Sequence, residues 1–342
     1  MDTTWPPPLP APRLGPPTPT IEADRSDRRR AWLARLAVLS LAAMSIALDL
    51  GTLVVVPLLF VVVVPFEKMF PRHRQPIRRP GVRTDIAHAL AAPALGVVSA
   101  VLAIAIGLAS LAWVPGLLLR PLVTMLPTSV MPFVGIALFD MAIYWVHRWS
   151  HEVPFLWKFH SVHHSTEHLD WVSGFRNHPF DGAIVAPPFV LLVAAGFDAT
   201  FTGALAVIQL ALGLFLHANV RWRLRPLHRI VVTPEFHHWH HANEADAHNS
   251  NYSVFLPIWD MLFGSYFMPR GRRPERYGIS ESMPMSLVGQ LHHPVRGVGN
   301  PLRILGRVLR HPWRCARAAA RFTRGICADI WRSTTTRRAR TT

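Results

Sequence analysis

The sequence predicts an all-α protein: an integral membrane helical bundle of about four to six spans, paired as hairpins and capped by a cytoplasmic histidine-rich helical domain. Three observations lead there. Half of the 342 residues are hydrophobic and only 16% are charged, a low share for a soluble protein. Long apolar stretches alternate with basic segments. Fourteen of the 19 histidines fall between His147 and His248, at spacings that place them on shared helix faces.

The first 20 residues hold eight prolines and no apolar stretch, so residues 1–30 read as a disordered Pro/Arg-rich terminus and not as a secretory signal. Residues 31–66 are apolar and too long for one straight span of ~20 residues. Asp49 and Gly51 stand at the middle, and basic residues flank both ends (Arg25, Arg28, Arg29, Arg30; Lys68, Arg72, Arg74, Arg78, Arg79). Because positive residues stay cytoplasmic, two short helices in a hairpin fit, and with the basic loop they make a unit over residues 31–83. One long tilted helix is the alternative and would reverse the sidedness of all later spans.

A second apolar block, residues 87–113, is expected to turn at Val114-Pro115-Gly116, and a third, residues 131–146, returns to deliver His147. A fourth, residues 184–215, divides near Gly196-Phe197-Asp198 and ends at His217. In the hairpin reading every histidine set lies on the cytoplasmic side. Thr233-Pro234-Glu235 has the form of a helix start: a capping threonine, proline at the first position and an acid in the first turn. Residues 271–342 form a basic tail with twelve arginines and one acid, Asp329, after Pro294. With Trp313 and Trp331 it reads either as a membrane-surface helix or as a solvated basic segment. The net charge of +16 suits an anionic membrane surface, since the arginines flank apolar spans; no nucleic-acid partner is expected. Cys315 and Cys327 are too few and too far apart for a disulfide framework or a C-x-x-C site.

The histidines form three sets: His147 with His151; His160, His163 and His164; His237, His240 and His241. A lone i, i+4 pair is usually incidental. Two H-x-x-H-H sets and a pair on one membrane face are not, because each set aims two or three imidazoles at one point. Eight imidazoles exceed the three or four ligands that one tetrahedral zinc takes, so their number argues for two metals. His151-Glu152 does not open a zinc-protease H-E-x-x-H, because position 155 is Phe155. Asp140 and Asp181 are candidates to orient imidazoles through their other ring nitrogen. His168 and His238 read as bystanders, His238 because it lies off the shared face, and His228, His248, His292 and His293 read as surface residues. Asp260 reads as structural.

These three sets resemble the histidine boxes of the fatty acid hydroxylase/sterol desaturase superfamily. The resemblance extends to Arg176-Asn177-His178-Pro179, to Phe215-Leu216-His217-Ala218-Asn219, to Thr233-Pro234 before the last box, to Asn251-Tyr252, and to Trp259-Asp260-Met261-Leu262-Phe263-Gly264-Ser265-Tyr266. It covers about residues 79–269. Ser253 stands where the family has glycine, and Asp170 where asparagine is common. The resemblance implies a catalytic membrane domain over residues 84–270 that uses two iron ions and O2 to hydroxylate or desaturate a lipid: a sterol, fatty acyl chain, alkylglycerol or carotenoid. By position it implies His147, His151, His160, His163, His164, His237, His240 and His241 as ligands, with His178 and His217 as two more, and no catalytic residue beyond them.

A lipid would enter sideways between the spans over 131–146 and 184–215, where Tyr144, Trp145 and Trp171 either line the slot or anchor the interface. The sequence has no dinucleotide fingerprint, no cysteine set for an iron–sulfur cluster and no haem motif. Electrons would come from a separate chain, a ferredoxin or small haem protein with its reductase, docked on the basic surface. The expected location is a bacterial-type inner or plasma membrane, with the site facing the cytoplasm. The competing expectation is a non-catalytic metal-binding or metal-transport membrane protein. Its ligands would sit at mid-depth within the spans, whereas these boxes sit at span ends.

Overall fold

The structure is a computed structural model that describes residues 67–335, apart from 77, 222, 223 and 297–300. The expected disordered terminus and the apolar residues 31–66 lie outside the described residues. Within them the chain is helical, with two isolated β-bridges (Pro71 with Val220, Ala242 with Tyr277) and no strand.

Helix α1, Val82–Ala109, is apolar on all sides and carries Pro93 in its middle. Its first turns are buried in protein (Thr84, Asp85 and His88), whereas Leu90, Val97, Val101, Ile104 and Leu108 are exposed. The exposed part, residues 90–109, is about 30 Å long, the thickness of a bilayer's hydrocarbon core. Helix α7, Ala199–Leu216, is the second helix long and apolar enough to cross a membrane. Exposed leucine and valine at this density would be an aggregation hazard in water and are ordinary in lipid.

Between these two run α2 (Trp113–Thr124), α3 (Met131–Glu152), α4 (Pro154–His164), α5 (Pro179–Ala183) and α6 (Ala186–Ala195). The turn after α1 comes earlier than the sequence suggests. Leu111 takes a left-handed backbone, and Pro115 and Gly116 lie inside α2, where proline in the first turn costs no hydrogen bond. Gly116 serves packing instead, since a Cβ there would stand 2.6 Å from the Leu191 carbonyl and from Ala194 of α6. Gly135 of α3 lies equally close to Phe197 and Phe201. Small residues at such crossings let apolar helices approach closely. Phe139, Ile143, Leu192, Ala195, Phe197 and Leu205 form the core around them. The break between α6 and α7 falls where the sequence places it, with Gly196 left-handed at the end of α6 and the Asp198 side chain accepting the Phe201 N–H to start α7.

The last described elements are α8 (Pro234–His240), α9 (Ile258–Phe263), α10 (Leu287–His292), α11 (Pro301–Arg310) and α12 (Pro312–Thr335). Helix α12 lies against α3 and α4: Ser333 Oγ donates to Glu152 at 2.8 Å, and Phe322 meets Phe155 edge-on at 5.1 Å.

Gly116→Val should destabilise the bundle by about 1–3 kcal/mol, because the new side chain meets backbone that cannot give way. Thermal unfolding in detergent should show a lower Tm for this variant and little change for Gly96→Val, whose Cβ meets nothing within 4 Å. Equal Tm values would contradict the close α2–α6 crossing.

Candidate metal centre

Nine histidines gather in two adjoining buried groups. His147, His151, His160, His164 and His240 form one; His163, His217, His237 and His241 form the other. Within each group the ligand nitrogens lie within 4.8 Å of one another. The groups touch where the His164 and His241 rings stack at 4.1 Å. The last turns of α3 and α4 and all of α8 supply the three boxes, and His217 enters directly after α7. Thr233 caps α8 by accepting the Phe236 N–H, as its sequence predicts.

The outer nitrogens fix which way each imidazole faces. His147 Nδ1 donates to Tyr252 O at 2.7 Å, His163 Nδ1 to Arg176 O at 3.1 Å, His217 Nδ1 to Gly213 O at 2.6 Å and His240 Nδ1 to Ser250 O at 2.8 Å. His160 Nδ1 lies 3.0 Å from both oxygens of Asp181. A carbonyl accepts and cannot donate, so each of these rings carries its proton outside and points a bare Nε2 lone pair inward. His163 Nε2 and His217 Nε2 thus face each other at 3.1 Å as two acceptors. His237 Nε2 lies 3.3 Å from His217 Nε2 and 3.0 Å from His241 Nε2, and His160 Nε2 lies 3.1 Å from His164 Nε2. The buried Nε2 atoms of His151 and His240 have no hydrogen-bond partner. Converging lone pairs repel one another, and a cation is what such a set fits. Burial, reinforced by the neighbouring imidazoles, pushes His163, His164, His237, His240 and His241 well below the ordinary histidine pKa, and burial lowers His217 to about 4. These six rings are therefore uncharged at neutral pH, the state in which imidazole ligates metal.

Four expectations are corrected. His178 stands outside both groups: its Nδ1 accepts the Phe180 N–H to cap α5, and its Nε2 donates to Leu291 O at 3.1 Å. Both nitrogens are committed to backbone. Asp140 orients no imidazole, since its carboxylate accepts the Phe255 and Leu256 N–H groups and the Trp259 indole. It fixes the loop that follows Tyr252. Tyr144 is fully buried, stacked on Phe263 with its hydroxyl on Ser265, and Trp171 packs against Ala218 and Val220. Neither lines a lipid slot. His228 is buried near Glu235, not on the surface.

Some supporting residues carry no signal in the boxes. Asp85 at the start of α1 is fully buried and ion-paired with Arg79 at 2.8 Å and Arg176 at 2.6 Å; Arg79 also holds Asp170 at 2.6 Å. Because the Arg176 carbonyl receives His163 Nδ1, this cluster fixes a cage ligand to the first turn of α1. Asp260 accepts the Tyr252 and Ser253 N–H groups and so holds the carbonyl that receives His147.

Residues 132–265 match the family model for fatty acid hydroxylase. The chain carries a domain of the fatty acid hydroxylase superfamily. Over 204 residues it is 31% identical to ornithine lipid hydroxylase OlsE of Rhizobium tropici, covering 57% of this chain and 60% of that protein. It is 32% identical over 137 residues to alkylglycerol monooxygenase of Danio rerio (39% of this chain, 29% of the relative) and 29% identical over 158 residues to that of Xenopus tropicalis (43% and 32%). The match thus spans three fifths of the first relative and about a third or less of the other two. No solved structure matches the chain. All of α1 and α2 and the tail after α9 lie outside the fatty acid hydroxylase match, although Asp85 of α1 is tied to the cage.

Two outcomes are expected. Asp181→Asn should weaken metal binding by about 10–100-fold, measured by titrating metal into apoprotein against a competing chelator; unchanged affinity would remove Asp181 from the site. The metal-free protein should also lose stability as pH falls. His163, His164, His217, His237, His240 and His241 stay neutral in the fold, while in the unfolded chain they take up protons below about 6.5. Stability present above that pH is lost progressively down to the folded values, near 4 for His217. Denaturant midpoints between pH 7 and 4 test this, and a flat profile would contradict it.

Proposed function

We propose that this protein is a membrane-embedded di-iron oxygenase that hydroxylates a lipid at an unactivated carbon, with one iron held by each histidine group. The observation that carries this reading is the pair of adjoining buried groups of five and four imidazoles with their lone pairs turned inward. Zinc alone would use fewer ligands and has no accessible redox change. Bound iron supplies the one-electron steps that activate O2 for attack on a C–H bond. The balance is a lipid C–H, O2, two electrons and two protons giving C–OH and water. Hydroxylation is favoured over desaturation because the chain is similar to a lipid hydroxylase and to alkylglycerol monooxygenases.

The chain's own residues do the positioning. Tyr252, Ser250, Arg176 and Gly213 carbonyls and the Asp181 carboxylate hold five imidazoles in the ligating tautomer. Trp157 packs over His151 and His164 at 5.3 and 5.7 Å and limits water at the five-histidine group. Beside it a crevice of about 20 Å³, lined in part by His151, His164, His240 and His241, admits nothing larger than water or O2. Lipid reaches the cage sideways. On α7, Gly203, Ala206 and Leu210 are exposed, and with the half-buried Gly213 they form a stripe that ends at His217. A Cβ at Gly203 or Gly213 would meet nothing within 4 Å. An acyl or alkyl chain lies along this stripe with its polar head at the cage end, and that end faces the cytoplasm. Two electrons come from a separate reduced protein.

Protein purified without oxygen and loaded with ferrous iron should hold about two irons per chain. About one zinc and no iron would sink the reading. Lipids from cells expressing the gene should gain a species heavier by one oxygen atom, about 16 mass units, which disappears with His163→Ala or His240→Ala while the protein stays in the membrane. A product that persists in either variant would remove that residue from the site.

A further inference from the structure

A second cavity takes no part in the metal centre. It has a volume of about 470 Å³ and is lined by Arg72, Arg272, Arg273 and Arg276 against Glu244 and Glu275, with His73, Gly271 and Pro274 completing the wall. Four guanidinium groups and two carboxylates line it; Arg272 is ion-paired with Glu244 at 3.0 Å and with Asp246 at 2.6 Å, and Arg273 lies 3.7 Å from Glu235. Arg72 has no carboxylate partner among the described residues: Nη1 lies 2.9 Å from His238 Nδ1, Nη2 donates to Pro274 O at 3.4 Å, and its buried Nε has no partner. The positive field registers on His73, whose pKa is pushed down to about 4 by burial, then by Arg72 and Arg273.

The back wall is α8. His237, His240 and His241 turn toward the metal groups, whereas His238 and Trp239 turn the other way. Tyr277 Oη lies 3.3 Å from His238 Nδ1 and 3.2 Å from His73 Nε2, joining the cavity wall to the residue next to a cage ligand. The Arg272 guanidinium lies over the buried Trp239 ring at 5.5 Å, and Trp239 sits between His238 and His240 in the chain. One helix therefore separates a cationic recess from the four-histidine group. Electron transfer falls steeply with distance, and the path from this recess to the cage is one helix thick.

We propose that this arginine-lined recess is the docking site of an acidic electron-donor protein, which delivers electrons across α8 through the Tyr277–His238 and Trp239 contacts. The inference rests on the reading of the site as an oxygenase fed by a separate chain. The donor is oxidised by one electron per encounter, and two encounters supply the pair that reduces O2 alongside the C–H bond. Charge complementarity favours an acidic protein. A bilayer fits less well, because Pro274 is the only apolar side chain in the wall.

The test uses the full-length, iron-loaded enzyme in nanodiscs and compares two reductants: an acidic [2Fe–2S] ferredoxin with its reductase, and reduced methyl viologen, which needs no docking. Arg272→Glu combined with Arg276→Glu should lower the ratio of ferredoxin-driven to viologen-driven turnover about tenfold or more and flatten its dependence on salt. The milder Arg272→Ala with Arg276→Ala should lower it in the same direction if charge reversal disturbs folding. Arg317→Glu with Arg324→Glu, an equal charge change on α12, should leave the ratio at its wild-type value.

An unchanged ratio in the pocket variants overturns the proposal. So does a loss confined to the α12 pair, or a wild-type enzyme that turns over with viologen and not with ferredoxin. Inhibition by millimolar inorganic phosphate or by anionic vesicles, relieved in the pocket variants while ferredoxin kinetics stay wild-type, overturns it as well. No product with either reductant in the wild type would instead count against the oxygenase reading itself.

Discussion

Nine imidazoles packed into two touching groups are compatible only with a neutral cage, and most of the surrounding structure serves to keep it so. A protonated ring among eight neighbours would be both desolvated and repelled. Burial supplies the first restraint. The second is the placement of a hydrogen-bond acceptor behind each of five rings, which forces the proton outward and the lone pair inward. Four of those acceptors are backbone carbonyls, and that choice has a consequence. Their positions depend on the path of the chain, so every segment that carries one must be pinned.

The pins are the buried charges. Asp260 holds the turn at Tyr252 and Ser253, Asp140 holds the loop at Phe255 and Leu256, and the Arg79–Asp85–Arg176 cluster holds the carbonyl behind His163. A buried ion pair contributes little net stability over an apolar substitute, but removing one partner leaves an uncompensated charge at a cost of about 3–5 kcal/mol. Such groups suit a fixed geometry better than they suit stability. Asp85 also lies at the foot of α1, so the orientation of a cage ligand and the seating of the apolar helix are coupled through one carboxylate.

The parts legible in the sequence are those whose signal is local. Residues three and four apart share a helix face, so the inward set of each H-x-x-H-H box and the outward direction of His238 can be read from spacing alone. The Thr233 cap and the break at Gly196–Asp198 are local in the same sense. His178 shows the limit. Next to Pro179 it reads as part of a resembling segment, yet a residue before a helix-starting proline is also where a side chain caps, and that competing local role prevails. Asp140 fails for the opposite reason: an acid two turns from His147 is near it in sequence, but its partners are 115 to 119 residues away. The Arg79–Asp170 and Asp85–Arg176 pairs, each 91 residues apart, leave no periodic trace.

The two faces of α8 join the cage to the surface. Its seven residues turn His237 and His240 inward, with His241 directly after, and His238 and Trp239 outward, so the same short helix closes the cage and forms its outer boundary. A helix this short has no stability of its own and is held from outside. Thr233 caps its start, the Asn251 side chain donates to the Phe236 carbonyl, and the Ala242–Tyr277 bridge ties its end to the arginine-rich loop. A force applied at that loop is therefore felt at His240 and His241 through a short chain of contacts. Whatever binds the loop binds against the metal ligands' own scaffold.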